Sequence, residues 1–312
     1  MADKENILVS ICCTTYNHEN YIRQCLDGFV MQKTNFSFEI LVHEDASTDN
    51  TSKIVKEYET HYPDLFRCVY QTENQFLKQN TLVNILFRMA RGKYIAMCEG
   101  DDYWTDPLKL QKQVDFLEAN QDFAICFHKV EILNTLSNKT IISNKIQKSI
   151  TTVKDLALGN YIYTASNVHR NRQKEIPKWF FECPVGDYPL HLLNAQYGKI
   201  KFMEDIMAVY RIHNQGIWGT KNYQFLFVKW DKMLEILSKE FEPQVNTILY
   251  KQKKKYLFSF LEKSLIRFDF KMTKYAYLRL HLSFVRFILN FMAYELNKFV
   301  ILFKMLDTYL KR

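Results

Sequence analysis

Three acidic residues are crowded into one short segment, Cys98-Glu99-Gly100-Asp101-Asp102-Tyr103-Trp104. The segment follows an apolar run, Tyr94-Ile95-Ala96-Met97, which has the length and composition of a buried strand. Carboxylates this close repel one another unless a cation lies between them, and oxygen ligands suit magnesium or manganese. The segment therefore predicts either a divalent-cation site or a solvated acidic turn that leads into a helix at Thr105-Asp106-Pro107.

Two earlier strands are also predicted to end in polar loops. The apolar run Ile7–Cys13 leads into Thr14-Thr15-Tyr16-Asn17-His18, and the run Phe38–Val42 leads into His43-Glu44-Asp45-Ala46-Ser47-Thr48-Asp49. In open α/β sheets, ligands bind beyond the carboxyl ends of the strands. We therefore expect the three loops to form one pocket.

The elements that must position these loops alternate along the chain. Helices are predicted after Asn20, from about Thr51 to Thr60 behind a cap at Asp49, over Leu77–Ala90 and over Leu110–Leu117. A further strand is predicted at Phe66–Tyr70. Four successive strand–helix units predict an α/β fold with a mostly parallel sheet between helices. Glycine-rich dinucleotide and P-loop motifs are absent from the sequence.

The following part of the chain predicts more strands and one helix that begins at an acidic residue. Strands are predicted at 123–127, 140–142, 161–168, 200–203 and 206–212, and a helix at 188–196. Asp187 precedes this helix directly, where it serves either as a cap or as a general base. The last strand ends in Tyr210-Arg211-Ile212-His213. Arg211 and His213 either donate hydrogen bonds to a ligand or form a strand-end salt bridge and a core histidine.

Composition indicates an ordinary globular protein of 312 residues, with 47% hydrophobic and 24% charged residues. Its seven cysteines have neither disulfide-framework nor zinc-site spacing. The first residues, Met1–Asn6, are polar and lack a secretory apolar region. We therefore expect a reducing, cytoplasmic location. His18, His43 and His191 belong to no motif and are assigned to surface or core.

Charge divides the chain near Thr220. Residues 221–312 contain 18 Lys and Arg against 8 Asp and Glu, whereas the preceding residues contain 24 against 26. We expect a catalytic domain over 1–220 and a basic, aromatic-rich helical region over 221–312. This region lacks an uncharged window of about 20 residues, so a spanning helix is not expected. Its helices either lie on an anionic inner membrane face or pack on the catalytic domain. No nucleic-acid-binding module is recognisable.

Four motifs in order resemble the family 2 glycosyltransferases, which have the GT-A fold. They are the opening strand and loop Ser10–Asn17, the loop Glu44–Asp49, the acidic Glu99–Asp102, and Gly186-Asp187-Tyr188 followed by Tyr210–His213, Gly216 and Trp218. The resemblance covers about residues 7 to 218. It implies a metal-dependent hexosyltransferase that acts with inversion in cell-surface polysaccharide or glycoconjugate synthesis. The implied partners are a nucleotide-diphosphate sugar and a glycan or lipid-linked acceptor.

The resemblance also implies roles for individual residues. Asp187 would be the general base, and Asp101, Asp102 and His213 would hold Mn or Mg. The residues that would bind the nucleotide sugar are Thr14, Tyr16, Asn17, Glu19, Asp45, Glu99, Gly100, Asp101, Arg211 and Trp218. The first acid of the family's D-x-D motif is Glu99 here, so Asp101 is the safer metal ligand and Glu99 contacts ribose or a neighbouring group.

Two other functions fit an α/β scaffold with acidic loops. A nucleotidyltransferase usually has a phosphate loop rich in glycine and lysine after its first strand, but residues 14–17 contain neither. A non-catalytic scaffold is expected to have lost its acids, whereas Asp45, Asp101, Asp102 and Asp187 all remain. Tyr16 and Asp45 also have structural interpretations, as a loop tyrosine and a cap near a helix.

Overall fold

A computed structural model describes residues 7–75, 85–143, 148–172, 176–214, 216, 223–267 and 269–280. The chain divides into two compact units, residues 1–250 and 251–312. The boundary expected near Thr220 falls among residues outside the described ranges. The assignment of residues 1–220 and 221–312 to separate domains stays a prediction.

The strands of the described chain form one mixed sheet. They are β1 (Ile7–Thr15), β2 (Ser37–Glu44), β3 (Phe66–Tyr70), β4 (Tyr94–Met97), β5 (Tyr103–Trp104), β6 (Phe123–Asn134), β7 (Lys139–Ile142), β8 (Ile150–Thr151), β9 (Val168–Arg170) and β10 (Lys199–Ile212). Their order is β3-β2-β1-β4-β9-β6-β10-β5, while β7 pairs with β6 and β8 with β10. The first four strands are parallel, as the strand–helix alternation predicts.

Helices connect these strands and continue beyond them. They are α1 (Ile22–Val30), α2 (Thr51–His61), α3 (Phe87–Met89), α4 (Lys109–Ala119), α5 (Val153–Leu156), α6 (Asp187–Ala195), α7 (Tyr223–Leu237), α8 (Pro243–Ile266) and α9 (Phe270–Arg279). Single 3₁₀ turns occur at Thr164–Ser166 and Lys178–Glu182. Most of the helix expected over 77–90 lies outside the described residues, which include only α3 of it.

The expected cap of α1 is wrong. This helix begins after Tyr21 rather than at Asn20, and its start has no side-chain cap. The preceding loop is held from outside the helix instead, because the His18 N–H donates to Thr51 Oγ1 at 2.8 Å. The turn before it depends on Asn17, whose φ of 55° lies in the left-handed region that asparagine tolerates better than most residues.

The strand expected over 161–168 is also wrong. A 3₁₀ turn occupies Thr164–Ser166, and β9 begins only at Val168. The carbonyls of this turn are bound by buried side chains, since Trp104 Nε1 donates to Ala165 O and Gln113 Nε2 to Ser166 O, both at 2.9 Å. β9 then runs antiparallel to β4 and β6, which makes the centre of the sheet mixed.

The two strands expected over 200–212 are one strand, β10, with an irregular register between Met203 and Ala208. The intervening Glu204 and Asp205 are exposed, and they pair with Lys129 and Lys112 rather than ending the strand. β10 lies between β6 and β5. Its last residues therefore reach the acidic segment that precedes β5.

A buried lysine lies directly behind that segment. Lys109 Nζ is 4.1 Å from the centre of the Trp104 ring and donates to Gln113 Oε1 at 2.8 Å. Burial lowers the pKa of Lys109 to about 7, and the nearby Cys98 and Cys126 thiols only partly oppose this change. The core next to the acidic segment thus contains a lysine whose neutral form is compatible with burial, whereas its charged form makes folding less favourable.

The second unit is described only to residue 280, where it includes α9. The Asp269 carboxylate caps α9 by accepting the Met272 N–H at 3.2 Å, and Lys254 Nζ binds the carbonyl of Leu280 at 2.9 Å. Among the described helices, none combines the length and hydropathy needed to cross a bilayer. The membrane hypothesis concerns the basic, aromatic-rich region, whose last part, from residue 281 to residue 312, lies outside the described residues.

Candidate active site

The acidic segment lies at the carboxyl end of β4, in the middle of the sheet. Its backbone is fastened to β1, because the Cys98 N–H donates to Cys12 O at 3.2 Å and the Gly100 N–H to Thr14 O at 2.9 Å. Carboxylate oxygens of Glu99, Asp101 and Asp102 lie within 4.8 Å of one another. The three acids are therefore as close together as the sequence predicts.

Gly100 is the contact point between this segment and the loop after β1. A Cβ at this position would lie 2.6 Å from Thr15 Oγ1, 2.8 Å from Thr15 Cβ and 3.0 Å from His18 Nδ1. Only glycine permits this approach without displacing the loop. His18 Nδ1 lies 3.3 Å from Thr15 Oγ1, which completes the contact.

Asp102 is the buried member of the cluster. Its Oδ1 accepts the backbone N–H of Arg211 at 2.8 Å, while its Oδ2 is buried without a partner among the described residues. Burial, and then the charges of Asp101 and Glu99, raise the pKa of Asp102 well above its usual value. A buried oxygen that has no partner lowers the stability of the folded protein. A cation bound to this oxygen would offset that loss.

Asp101 is the charged member. Its Oδ2 lies 2.9 Å from His213 Nε2 and 3.9 Å from His18 Nε2. Burial opposes ionisation, but the hydrogen bond from His213 and the charges of both histidines hold the pKa of Asp101 below its usual value. His213 Nδ1 is buried and has no partner in the described part of the chain. Asp101 is thus available as an anion.

Arg211 braces the acidic segment from the end of β10. Its Nη1 donates to the Asp101 carbonyl at 2.6 Å, and its Nη2 donates to Gln24 Oε1. The guanidinium also lies 4.3 Å from the Tyr103 ring centre and 5.2 Å from that of Tyr21. These contacts fix the loop in place. The role of Arg211 toward a diphosphate stays a prediction.

Glu99 follows β4 and interacts electrostatically with Asp187. The side chain is exposed to water, yet the crowding of protein around it raises its pKa to about 8, together with the negative charges of Asp101 and Asp187. The raised pKa makes Glu99 easier to protonate than an isolated glutamate. A bound cation, or a hydrogen bond donated by a ligand hydroxyl, would favour the ionised form of the Glu99 carboxyl.

The loops after β1 and β2 form one hydrogen-bonded wall. Asn17 N–H donates to Ser47 Oγ at 3.0 Å, and Asn17 Oδ1 accepts the Thr48 N–H at 2.8 Å. The Glu19 carboxylate accepts both the backbone and the side-chain N–H of Asn50, at 3.0 and 2.8 Å. Asn17 and Glu19 therefore shape the wall, and direct nucleotide contacts by them stay predictions.

Asp45 and Tyr16 differ sharply in exposure on this wall. The Asp45 N–H donates to Thr15 O at 3.0 Å, and its Oδ1 accepts the Gln75 N–H at 2.7 Å, so the residue is buried and oriented. Tyr16 is 41% exposed, which leaves its ring free to meet a flat ligand. Thr14 contributes its carbonyl to the acidic segment.

Asp187 is the first residue of α6, and Gly186 precedes it as the N-cap. Its Oδ2 accepts a hydrogen bond from Asn160 Nδ2 at 3.1 Å, whereas its Oδ1 is buried with no partner among the described residues. Burial raises the pKa of Asp187, although the hydrogen bonds from Asn160 and the helix backbone oppose the shift. A carboxylate with one anchored and one unpaired oxygen suits proton abstraction.

Tyr210 connects the acidic cluster and Asp187. Burial raises its pKa, and the charges of Asp102, Glu99, Asp101 and Asp187 raise it further. All four acids therefore act electrostatically on one phenol. The Tyr210 ring packs on Tyr163 with its centre 5.2 Å away.

Sequence reasoning missed three residues of this site. His18, Asn160 and Tyr163 reach it from loops whose courses depend on the Asn17 turn and on the 3₁₀ turn. The Tyr-Asn-His sequence in the first polar loop was the signal that could have identified His18. Trp218 lies outside the described residues, so its assignment stays a prediction.

The donor set fits a hard divalent cation. Three carboxylates are grouped closely, Asp102 Oδ2 has no partner among the residues that the structure describes, and His213 can supply a nitrogen. Carboxylate oxygens are ligands that suit both Mg and Mn. The identity of the cation stays a prediction.

A model of the glycosyl transferase family 2 matches residues 10–178. An uncharacterized protein of Mycobacterium bovis is 40% identical over 213 residues, which cover 67% of this chain and 60% of the relative. The chain therefore belongs to the glycosyl transferase family 2, as the four motifs predict. The match spans less than two thirds of the length of that relative.

Solved structures share the fold. Residues 1–349 of S. aureus TarS, in complex with UDP-GlcNAc, align with a TM-score of 0.58 at 18% identity, covering 81% of this chain and 73% of that chain. The mannosyltransferase PcManGT of Pyrobaculum calidifontis, in complex with GDP-Man and Mn2+, gives a TM-score of 0.54 at 15% identity, covering 83% and 76%. The expected GT-A architecture is confirmed.

Proposed function

We propose that this protein transfers a hexose-type sugar from a nucleotide-diphosphate sugar to a hydroxyl group, with a divalent cation and with inversion at the anomeric carbon. The observation that carries the proposal is the cluster of Glu99, Asp101 and Asp102, with oxygens within 4.8 Å, near enough to Asp187 for its charge to act on Glu99. The cluster suits a cation that holds a diphosphate, and the unpaired oxygen of Asp187 suits removal of a proton.

Asp101, Asp102 and His213 would hold the cation. When bound, Mn or Mg neutralises the charge that develops on the departing diphosphate. Asp101 is suited to ligation because its neighbours keep it ionised, and Asp102 because its Oδ2 has no partner within the described ranges. The two structural neighbours that carry UDP-GlcNAc or GDP-Man, one of them with Mn2+, support this chemistry by fold similarity.

Asp187 would act as the general base. The acceptor oxygen attacks the anomeric carbon while its proton passes to Asp187 Oδ1. The bond from that carbon to the diphosphate oxygen breaks, and the nucleoside diphosphate leaves with the electron pair. A single displacement of this kind inverts the configuration. Burial of Oδ1 accompanies a raised pKa of Asp187, so the carboxylate is more basic than an exposed one and better suited to accept the proton.

The nucleotide would occupy the wall formed by the loops after β1 and β2. Tyr16 offers an exposed ring for stacking against a base, and Asp45 offers an oriented carboxylate for a base or ribose donor. Thr14, Asn17, Glu19, Glu99, Gly100, Arg211 and Trp218 complete the proposed binding set. We propose a glycan or lipid-linked glycan as acceptor.

The basic C-terminal region would bring the enzyme to an anionic membrane. The described part supports this by the exposed Lys251 and Lys255 on α8. The full chain should float with vesicles that contain phosphatidylserine, and salt should weaken this binding because surface charges are screened over about 8 Å at physiological ionic strength. Equal flotation with neutral vesicles would contradict the electrostatic attachment.

A nucleotide-sugar screen tests the catalytic proposal. Melting temperatures are measured for the full chain with a panel that includes UDP-GlcNAc and GDP-mannose, each with Mn²⁺ or with chelator. Ligand at 100 times its Kd stabilises by about 2.7 kcal/mol, so a true donor should raise the melting temperature only with metal. Donors that stabilise are then tested for release of nucleoside diphosphate. Release of pyrophosphate would instead indicate a nucleotidyltransferase, and a retained anomeric configuration would contradict the single displacement.

A further inference from the structure

The loop between α5 and the 3₁₀ turn at Thr164 approaches the start of α6 at one side chain. Asn160 Nδ2 donates to Asp187 Oδ2 at 3.1 Å. The bond joins residues 27 positions apart in the chain. Its energy is that of a hydrogen bond to a charged group whenever Asp187 is ionised.

The orientation of the Asn160 amide is fixed by a second contact. Its Oδ1 accepts the backbone N–H of Ile162 at 3.2 Å. Because only the carbonyl oxygen of an amide side chain can accept that hydrogen bond, the NH₂ group must face Asp187. The donor and the acceptor of the Asn160–Asp187 pair are therefore assigned by geometry.

Both partners are also held rigidly by their neighbours. Tyr188, which follows Asp187 and is fully buried, donates its hydroxyl to Leu156 O at 2.9 Å. Tyr161, next to Asn160, pairs its hydroxyl with Thr151 Oγ1 at 2.6 Å. Tyr188 thus ties the start of α6 to the end of α5, and Tyr161 ties the loop to β8. Each partner of the Asn160–Asp187 pair is therefore anchored by a neighbour in the chain.

The two oxygens of Asp187 are consequently unequal. Oδ2 is bound by Asn160, and Oδ1 is buried without a partner in the described part of the chain. The ionisable groups that act electrostatically with Asp187 are Glu99 of the acidic segment and the phenol of Tyr210 on β10. Neither brings a positive charge. The carboxylate is steadied by the backbone N–H groups at the start of α6 and by the Asn160 amide, the one of these donors that a side-chain substitution can remove.

From this geometry we infer that Asn160 is a positioning residue of the transfer reaction, which anchors Oδ2 of Asp187 so that Oδ1 faces the acceptor hydroxyl. The inference rests on the proposed function. As the acceptor oxygen bonds to the anomeric carbon, its proton moves to Oδ1, and the sugar–diphosphate bond breaks with the electrons going to the diphosphate. Asn160 touches none of the reacting atoms, and it acts by holding the carboxylate and favouring its ionised form.

The test uses two substitutions in the full chain. Asn160→Asp is isosteric and keeps an oxygen for the Ile162 N–H, but it replaces the donor toward Asp187 by a carboxylate. Asn160→Ala removes both groups. Asn171→Asp is the matched control, because the Asn171 amide donates to Gly92 O at 2.9 Å, beside the amino end of β4 and away from the acidic segment. Melting temperatures establish that each variant is folded.

The first measurement does not depend on a donor. The ¹³C shift of the Asp187 carboxyl carbon, identified by its loss in Asp187→Asn, is followed against pH. Loss of the amide donor should raise the pKa of Asp187 in both Asn160 variants, and more in Asn160→Asp because of the added negative charge. The Asn171 control should leave it unchanged. An Asp187 pKa that is the same in all three variants would overturn the inference.

The second measurement is kinetic. It uses whichever of UDP-GlcNAc and GDP-mannose supports diphosphate release by the wild type with Mn²⁺. In Asn160→Ala, kcat should fall about tenfold or more while KM for the donor stays nearly constant. The loss should shrink as the pH rises and Asp187 ionises again. An unchanged kcat, or a loss confined to KM, would overturn the inference. If neither donor reacts, the proposed function fails for these donors, while the carboxyl titration still decides the role of Asn160.

Discussion

Asp102 Oδ1 accepts the backbone N–H of Arg211 at 2.8 Å, although 109 positions separate the two residues in the chain. The same arginine donates to the carbonyl of Asp101 at 2.6 Å. One residue at the end of β10 therefore fixes the backbone and one carboxylate of the acidic segment. This leaves the second oxygen of Asp102 unpaired beside the cluster, which is where we expect a cation.

Asp101→Ala should abolish metal-dependent nucleotide binding. The substitution removes the acid that its histidine neighbours keep ionised, so a cation loses its best ligand. Calorimetry with UDP and with GDP, each with Mn²⁺ or with chelator, measures the effect. Asp205→Ala is the control, since Asp205 is exposed and pairs only with a surface lysine in the described structure. Equal nucleotide affinity of wild type and Asp101→Ala under both conditions would contradict the metal assignment.

Asp187→Asn should slow turnover by about 10²–10⁴-fold, the usual contribution of a general base. The fold should survive, because asparagine is tolerated at helix starts about as well as aspartate. In the wild type, turnover should fall as the pH drops through the raised pKa of Asp187, because only the ionised carboxylate accepts the proton. Near-normal turnover of the variant would eliminate this role.

Asp45→Asn should chiefly weaken nucleotide binding and leave turnover at saturating donor nearly intact. Asp45 lies on the wall formed by the loops after β1 and β2, and its Oδ1 accepts the Gln75 N–H. An amide at this position changes the donors and acceptors that a base would meet. Donor affinity and turnover are measured together with those of Asp187→Asn. A variant that loses turnover but keeps donor affinity would contradict the separation of the two roles.

Gly100→Ala should displace the acidic segment from the loop after β1. The added Cβ would lie 2.6 Å from Thr15 Oγ1 and 3.0 Å from His18 Nδ1, so one side must move. We expect a lower melting temperature and weaker Mn²⁺-dependent binding of UDP or GDP. Gly186→Ala is the matched control for stability, because a Cβ there would meet no atom of the described structure within 4 Å. Equal melting temperatures for the two variants would be evidence against the tight contact.

Lys109→Met should stabilise the protein most at or below neutral pH. The folded pKa of about 7 lies below the usual lysine pKa of 10.5 in an unfolded chain, so the native state binds fewer protons between those values. The penalty is complete below about pH 7 and disappears as the pH rises toward 10.5. Each unit of pKa corresponds to about 1.4 kcal/mol, so the gain should reach several kcal/mol at pH 6.

Melting curves of wild type and Lys109→Met from pH 6 to pH 10 measure this effect. Lys139→Met, at an exposed position of β7, is the control and should show a difference that is independent of pH. A Lys109→Met gain that stays constant from pH 6 to pH 10 would show that packing, rather than burial of charge, is responsible.

The sequence predicts the parallel half of the sheet well because each of its strands is an apolar run followed by a polar loop. The strand at Phe66–Tyr70 is predicted to the residue. The central antiparallel strand is missed because hydrogen bonds from Trp104 and Gln113 fix the turn at Thr164–Ser166, and such distant contacts leave no local pattern. The apolar pattern likewise predicts two strands where the structure has only β10. The exposed Glu204 and Asp205 interrupt the apolar run, but they do not end the strand.

The acids of the site are predictable because their crowding is local. The position of His18 is not, since it depends on the left-handed backbone of Asn17 and on the N–H of His18 finding Thr51. The contact of Asn160 with Asp187 is equally remote from any local pattern. Charge and spacing thus indicate which groups do the chemistry, while the groups that orient them emerge only from the tertiary structure.

The position of β10 in the sheet has a consequence for biosynthesis. The acidic segment is translated long before Arg211, so a growing chain carries three neighbouring carboxylates whose brace does not yet exist. Until β10 inserts between β6 and β5, those carboxylates repel one another in water and the centre of the sheet remains open. Contacts between such distant residues form slowly. We therefore expect the insertion of β10 between β6 and β5 to be a late step of folding. Ribosome-bound chains that end before residue 199 should lack a binding-competent site.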